Sequence, residues 1–216
     1  MNSIFETPRL LLIRLTDTSE GSQHVQWFHE NWSNDEATAW SLHGKCHTLA
    51  ESREWMLEHK TKYNNIFYSC FAKTPTSKGT EADPGDHVGS ISLRQQHSGP
   101  AMLPPPIPGQ ESSSTYKPIN LRVIGYAFFK QHWGKGYATE AGKGLLAEYA
   151  RSVAEEKEKG EELFYVEGGA DQDNPGSKHV LEKIGFKEVG WKEEKEPVFL
   201  NGKWRDPGYW IYGQYV

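Results

Sequence analysis

Residues 131–139 carry the spacing most suggestive of chemistry, because two glycines, Gly134 and Gly136, interrupt a polar and aromatic stretch. An apolar, strand-like run at 123–129 precedes this segment, and an amphipathic helical pattern begins at Ala138. A strand, a tight glycine-rich turn and a helix together direct backbone N–H groups and a helix N-terminus toward phosphate. We therefore expect this segment to bind a phosphate-bearing ligand.

Three phosphate-binding loops compete for this interpretation. A P-loop needs Ser or Thr after its lysine, but Lys135 is followed by Gly136. A dinucleotide fingerprint needs Gly or Ala at the position that Thr139 occupies. The third pattern, Gln/Arg-x-x-Gly-x-Gly/Ala, grips the pyrophosphate of coenzyme A, and Gln131, Gly134 and Gly136 fit it.

Three ordered segments resemble the GNAT superfamily of N-acetyltransferases. The first is 124–141, which contains the loop, and the second is 173–186, where Asn-x-x-Ser precedes a helix that ends in Gly-Phe. The third, 6–15, is similar to the opening strand of the branch named after ribosomal-protein N-terminal acetyltransferases. The resemblance covers most of the chain but not 76–86 or 97–118.

This resemblance implies an α/β (α+β) chain with the GNAT acyl-CoA N-acyltransferase fold. Its mixed, twisted sheet would have about seven strands with a splayed central pair, 123–129 and 163–166, and about four helices. The first of these strands would carry a bulge. We expect residues 1–216 to form a single domain, with mobile insertions at 76–86 and 97–118, where proline, glycine and serine are frequent.

Local patterns place the elements around these motifs. Periodicity and capping residues predict helices at about 20–32, 48–62 and 137–157, and a further helix from Asn174 that stops at Gly185. Residues 33–35 are typical of a turn, and 204–215 is predicted as a closing strand of the sheet.

The resemblance also implies acetyl-CoA as the acetyl donor. The residues that would hold it are Ala127, Phe128, Phe129, Gln131, Trp133, Gly134, Lys135, Gly136, Tyr137, Ala138, Thr139, Asn174, Ser177 and Lys178. Some of these have purely structural alternatives, because glycines also make ordinary turns and Asn is a good helix N-cap.

Two residues are the candidates for catalysis. The resemblance implies that a hydroxyl protonates the departing thiolate, and Ser177 is the candidate because no tyrosine lies between Asn174 and Phe186. Glu196 is the first choice as general base, because it lies just before an apolar strand start. Its alternative is a solvated charge run. The other carboxylates considered are Glu193, Glu194, Glu30, Asp35 and Glu167.

Composition limits the partners. The net charge of −5 gives no support for nucleic-acid binding, and no apolar run is long enough to cross a membrane. Two cysteines and no visible signal peptide fit a reducing compartment, so we expect a cytoplasmic protein. The cluster of His43, Cys46 and His47 lacks further ligands at a recognised spacing, so no metal is expected.

The expected activity is transfer of an acetyl group to a primary amine by direct attack on the thioester. The acceptor would be a small molecule or a protein N-terminus, and the protein would be a monomer or homodimer. The alternative is a non-catalytic acyl-CoA-binding or scaffold module with the same fold.

Overall fold

The computed structural model describes residues 1–106 and 117–216. The strands β1 to β10 are, in chain order, Ile4–Glu6, Leu10–Arg14, Ile66–Ala72, Asp86–Gln95, Ile119–Phe128, Leu163–Ala170, Lys187–Glu193, Val198–Leu200, Lys203–Arg205 and Gly208–Tyr215. The helices α1 to α6 are Gln23–Trp32, Asp35–Thr38, Leu49–Thr61, Tyr137–Ser152, Ala154–Lys159 and Pro175–Lys183. A 3-10 turn spans Lys130–His132.

One mixed sheet runs through the molecule in the order β1-β2-β3-β4-β5-β6-β10-β7, and β8 and β9 form a separate hairpin. Neighbouring strands of the sheet are antiparallel except β5 and β6, which are parallel. Helices α4 and α5 make the crossover that a parallel pair requires. The predicted fold class is confirmed, and the elements that the prediction omitted, β1 and α2, are short ones.

Apolar side chains cover both faces of the sheet. On one face, α4 and α6 contribute Leu145 and Leu181 to a core that also contains Tyr68. On the other face, α1 and α3 contribute Phe28 and Met56 to a second core. The second core thus covers strands β2 and β3, whereas the first core extends from β2 to β6 and includes Tyr212 of β10.

Two predicted elements end differently in the structure. The helix predicted over 137–157 breaks at Val153, whose backbone leaves the helical region (φ −110°, ψ 9°), and α5 begins at the next residue. The strand predicted over 204–215 begins only at Gly208, because 203–205 pairs with 198–200 instead. The signal for that hairpin is Asn201-Gly202, which turns with both φ values positive (47° and 77°).

The two predicted insertions are surface connections in the part of the chain that is described. The connection from β3 to β4 is 73–85, so the predicted insertion at 76–86 ends one residue inside β4; the connection contains the bridge between Thr80 and Asp83. Residues 97–106 contain no helix or strand, and the Ala101 N–H donates to both oxygens of Glu167 at 3.2 and 3.1 Å. The rest of the predicted mobile insertion includes 107–116, which lie outside the described residues.

A half-buried histidine on α3 links the stability of the fold to pH. His59 packs edge-on against Trp55 at 4.8 Å, and its Nδ1 lies 2.6 Å from Asn65 Nδ2. Burial, followed by the nearby Arg94 charge, lowers the pKa of His59 from 6.5 to about 4. Because the unfolded chain takes up this proton first, the free energy of unfolding falls as the pH drops from about 6.5 toward 4.

We expect His59→Gln to lose less stability than the native chain between pH 7 and pH 4.5, by about 2 kcal/mol, because glutamine does not titrate. Urea unfolding at both pH values measures this difference. The control is His47→Gln, which replaces an exposed histidine and should follow the native chain. Equal acid losses in the native chain and His59→Gln would contradict the prediction.

Candidate functional site

The site begins where β5 and β6 part. The two strands are paired from Ile119/Leu163 to Val123/Glu167. Beyond that point β5 continues along β4 and β6 continues along β10. The splayed central pair predicted from the sequence is therefore present, and it opens a gap between residues 124–128 and 168–170.

The expectation of a bulge in β5 is wrong, as the pairing of β5 with β4 shows. Over the described residues of both strands, the β4–β5 ladder keeps one register from Gln95/Arg122 to Gly89/Phe128, so β5 has no bulge against β4. The splay itself frees backbone groups here. It leaves one edge of β5 without a strand partner.

Ladder alternation decides which residues of β5 face the gap. The Phe129 N–H donates to the Val88 carbonyl at 3.1 Å, and the Leu121 carbonyl accepts from Gln96. Odd-numbered residues therefore bond to β4, and the backbone groups of Tyr126 and Phe128 point into the gap. Of the three residues predicted to offer backbone groups, Phe128 does so, whereas Ala127 and Phe129 direct theirs toward β4.

One of these exposed backbone groups is already satisfied. The indole N–H of Trp133 donates to the Phe128 carbonyl at 2.7 Å, which fixes this half-exposed ring beside the gap. The Phe128 N–H remains the outward-facing donor on the same residue.

The predicted phosphate loop has the conformation that its glycines suggested. Gly134 and Gly136 have φ values of 75° and 80°, and Gly136 is the N-cap of α4 without a side-chain cap hydrogen bond. The N–H groups of the first helical turn, Tyr137, Ala138 and Thr139, therefore lack a side-chain acceptor at the cap. Such a turn favours an anionic ligand.

Arg9 braces this loop, a role that sequence reasoning missed. Its Nη1 donates to the Lys135 carbonyl at 2.9 Å, its Nε lies 2.6 Å from Glu140 Oε2, and its guanidinium covers the Tyr137 ring at 4.9 Å. Desolvation raises the pKa of Glu140, but hydrogen bonds from Thr7 and Arg9 outweigh it and keep that pKa below its usual range. Glu140 thus stays ionised and holds Arg9 against the loop.

A cleft of about 1320 Å³ connects the loop, the gap and α6. Most of the predicted site residues line it: Ala127, Phe128, Trp133, Gly134, Gly136, Tyr137, Ala138, Thr139, Asn174, Ser177 and Glu196. Phe129, Gln131, Lys135 and Lys178 are not among its lining residues. Phe129 is buried against His87, and Gln131 lies in the 3-10 turn.

The lysine of α6 at the cleft is Lys183. Gly176, Val180 and Lys183 follow one face of the helix and line the cleft, whereas the Lys178 ammonium lies 3.5 Å from Glu188 outside it. The predicted contact by Lys178 therefore has no support in the geometry.

Asn174 and Ser177 meet at the N-terminus of α6. Asn174 is the N-cap, and its side-chain oxygen accepts from the Ser177 N–H at 3.1 Å. The Ser177 hydroxyl oxygen lies 2.8 Å from the hydroxyl of Tyr126, a cleft residue of β5 that sequence reasoning missed. Burial raises the pKa of Tyr126 to about 12, so its phenol keeps its proton at neutral pH.

The carboxylates considered as bases occupy different places. Glu196 is exposed, lines the cleft between β7 and β8, and forms no ion pair among the described residues. Glu194 also lines the cleft but pairs with Lys192 at 2.9 Å. Glu30 pairs with His87 and Asp35 with Lys45, and neither lines this cleft.

Glu167 is buried at the point where the strands part, outside the residues that line the cleft. Burial raises its pKa, and hydrogen bonding from Ala101 opposes that rise. Its hydrogen bonds with Gln96 and Ala101 hold the start of the 97–106 segment against β6.

A second cavity of about 760 Å³, the outer cavity, adjoins the cleft, and Glu36, Trp40, Ser41 and Trp133 line both. Three aromatic side chains line this cavity, Trp40, Trp133 and Phe199, together with the ion pairs Asp35–Lys45 and Glu36–Lys130. The β8–β9 hairpin forms one wall. It is anchored by the Asn201 N–H on the Ala39 carbonyl (2.7 Å) and by Arg205 over the Trp40 ring (4.5 Å).

His43 and Cys46, which were weighed as metal ligands with His47, have other surroundings in the structure. His43 stacks on Trp55 at 3.7 Å, and Cys46 is buried. Within 1–106 and 117–216, no three His, Cys, Asp or Glu side chains come together as a metal site would require. None of the helices in these ranges is long and apolar enough to span a membrane.

Solved structures share this architecture over nearly the whole chain. The ribosomal-protein-S5-alanine acetyltransferase from Vibrio fischeri is 15% identical, with a TM-score of 0.63 and coverage of 99% of this chain and 97% of that one. The spermidine N-acetyltransferase from Vibrio cholerae, solved with CoA and spermine, is also 15% identical, with a TM-score of 0.60 and coverage of 97% and 96%. At these identities the likeness concerns the fold.

A curated relative shares more sequence over a shorter stretch. The probable N-acetyltransferase YjcK from Bacillus subtilis (strain 168) is 39% identical over 88 residues, which is 41% of this chain and 43% of that protein. The match therefore spans less than half the length of this relative.

A family model decides the relationship. The acetyltransferase (GNAT) domain matches residues 9–187, from the arginine that braces the loop to the start of β7. The matched range contains the splayed strands, the glycine loop and the Asn174–Ser177 turn. The chain belongs to the acetyltransferase (GNAT) family.

Proposed function

We propose that this protein is an N-acetyltransferase that uses acetyl-CoA as donor and a primary amine as acceptor. The observation that carries the proposal is one continuous cleft that joins uncapped N–H groups of α4 to the gap between β5 and β6. A long, flexible donor with a pyrophosphate at one end and a thioester at the other fits such a cleft. The first turn of α4 would hold the pyrophosphate, and the gap would hold the pantetheine arm.

The acyl carbonyl would lie beside Phe128. Its N–H points into the gap, and a fixed donor of this kind stabilises the oxyanion of a tetrahedral intermediate. Asn174 orients the N-terminus of α6 and would contact the pantetheine arm, and Ser177 would hydrogen-bond to the departing sulfur. The amine attacks the carbonyl carbon, the carbon–sulfur bond breaks, and the amine proton passes to a base.

Glu196 is the proposed base, and it would act directly or through a water. Its support is its place on the cleft wall and the lack of a competing cation within hydrogen-bond distance among the described residues. The attacking amine must be neutral, and an α-amine of pKa about 8 is roughly one-tenth neutral at pH 7. A base on the cleft wall therefore speeds the reaction at physiological pH by removing a proton from the amine.

The outer cavity suggests the character of the acceptor. Trp40, Trp133 and Phe199 offer apolar surface, while the nearby charges are already paired with one another. We therefore favour an amine that carries an apolar or aromatic group beside its nitrogen, either on a small molecule or at the N-terminus of a peptide.

The alternative function is a non-catalytic acyl-CoA-binding or scaffold module. It would use the same loop and the same gap. Release of free CoA thiol in the presence of an amine separates the two functions, because a module without turnover would bind the donor and release none.

We expect acetyl-CoA, and neither NAD nor ATP, to raise the thermal stability of the native protein. The gain is about 2.7 kcal/mol at a hundredfold excess over Kd. Gly136→Glu should abolish it, because a Cβ there would lie 3.4 Å from the Arg9 guanidinium and the carboxylate would repel phosphate. Thermal unfolding with each ligand is the measurement.

The matched control for that variant is Gly21→Glu. Gly21 has nearly the same φ (79° against 80°), and a Cβ there would meet nothing within 4 Å. Both variants therefore carry similar backbone strain, and only one of them obstructs the loop. Equal stabilisation of both variants by acetyl-CoA would refute the assignment of the loop.

An amine panel tests the acceptor. Thiol release should be faster with phenylethylamine, or with a peptide that begins with an aromatic residue, than with glucosamine or spermidine. Phe199→Ala should raise the acceptor KM several-fold, since a partly buried apolar contact contributes about 1 kcal/mol, and leave the Kd of acetyl-CoA unchanged. Leu103→Ala, an 85% exposed residue outside both cavities, is the control. An unchanged acceptor KM in Phe199→Ala would argue against this cavity as the acceptor site.

A further inference from the structure

Two hydroxyl groups from different elements meet in the cleft. The Tyr126 hydroxyl oxygen, on β5, lies 2.8 Å from Ser177 Oγ and 3.1 Å from the Ser177 backbone carbonyl oxygen, at the start of α6. Both residues line the cleft, and Tyr126 lies two positions before Phe128 on the same edge of β5. The phenol therefore lies where it can influence Ser177, the residue proposed to contact the departing sulfur.

Counting protons gives this pair two arrangements. A phenol has one proton to donate, and the Ser177 carbonyl can only accept. In the first arrangement, Tyr126 donates to the carbonyl and the Ser177 hydroxyl donates to the Tyr126 oxygen, so the serine proton points away from the ligand. In the second, Tyr126 donates to Ser177 Oγ, and the serine proton is free to point into the cleft.

A developing thiolate selects between these arrangements. Negative charge on the sulfur attracts the serine proton, and Ser177 Oγ then needs a donor to replace the contact it gives up. Tyr126 provides it by turning from the carbonyl to Oγ, so the two hydroxyls form a chain that ends at the sulfur. Hydrogen bonds in such a chain strengthen one another.

From this geometry we infer that Tyr126 is a positioning residue that turns the Ser177 hydroxyl toward the departing thiolate. The inference rests on the proposed acetyl transfer and adds a residue to it. When the carbon–sulfur bond breaks, the sulfur keeps the bonding pair and accepts the hydrogen bond from Ser177. The net proton for the thiol comes from the attacking amine by way of the base and solvent, so Ser177 and Tyr126 each end with the proton they began with.

The first test needs no acceptor, because CoA itself carries the product thiol. Titration of CoA bound to the protein, followed by the ultraviolet absorbance of the thiolate, gives the pKa of the bound thiol. We expect Ser177→Ala to raise this pKa by about one to two units, as the loss of one hydrogen bond to a charged group predicts. Tyr126→Phe should raise it by about half to one unit, because the bond that it removes is to the neutral Ser177 hydroxyl. In the double variant, the pKa of the bound thiol should be no higher than in Ser177→Ala alone.

The control is Tyr215→Phe. Its hydroxyl also donates to a backbone carbonyl, that of Pro105 at 3.2 Å, and it lies outside the lining of the cleft. This variant should bind CoA with the native thiol pKa. Thermal unfolding of all the variants identifies any variant that fails to fold. A Tyr126→Phe protein that unfolds at the native temperature and still binds CoA is folded, so a change in its thiol pKa reports on the site.

The second test is kinetic and uses the best amine of the panel. Tyr126→Phe should lower kcat by about three- to tenfold at an unchanged acetyl-CoA KM, and it should have no further effect in the Ser177→Ala background. A purely structural tyrosine would instead change the KM, or lower kcat equally in both backgrounds.

The outcomes are distinct. A native thiol pKa in folded Tyr126→Phe would overturn the role of Tyr126 and leave the proposed function intact. A native pKa in Ser177→Ala as well would remove both hydroxyls from the leaving group. Failure of the native protein to bind CoA would overturn the proposed function and this inference together.

Discussion

Every part of the candidate site depends on the parting of β5 and β6 inside an otherwise continuous sheet. The strands share their ladder as far as Val123 and Glu167, and each then follows a different neighbour. A backbone polar group that loses its ladder partner costs free energy unless another group satisfies it. The Trp133 indole satisfies one carbonyl in the gap, and the remaining groups favour a bound molecule that brings its own donors and acceptors.

Two glycines of β6, Gly168 and Gly169, let side chains of neighbouring elements pack against its backbone. A Cβ at Gly168 would lie 2.9 Å from Ile124 Cγ2 and 2.9 Å from Leu181 Cδ2, and one at Gly169 would lie 2.8 Å from the Tyr209 ring. The bare stretch of β6 thus lets β5, α6 and β10 pack closely around the gap. The width of the gap is set by the packing of these side chains, Ile124 of β5 among them, rather than by ladder hydrogen bonds between β5 and β6.

Local motifs of the site were predictable from the sequence, and long-range partners were not. Gly134 and Gly136 predict a turn because glycine readily adopts positive φ, and Asn174 predicts a helix start because asparagine is a good N-cap. Tyr126 and Arg9 carry no such local signal, because each acquires its role from a residue far along the chain, Ser177 and Glu140 respectively. Among the elements, the long ones were predicted well. The short helix α2, which begins at the end of the turn predicted over 33–35, was not predicted, and the 198–205 hairpin was missed despite its Asn-Gly signal.

The brace between Arg9 and Glu140 also constrains when the loop is completed during folding. The two residues are 131 positions apart in sequence, so their contact raises the contact order, and the entropy cost of closing so long a loop favours its formation late in folding. The helical turn behind the glycines forms from local residues, whereas its support arrives only when the first strands have docked. Contacts that form after the transition state mainly govern the unfolding rate. A molecule held by the braced loop would therefore act chiefly by slowing unfolding, and so by prolonging the lifetime of the native state.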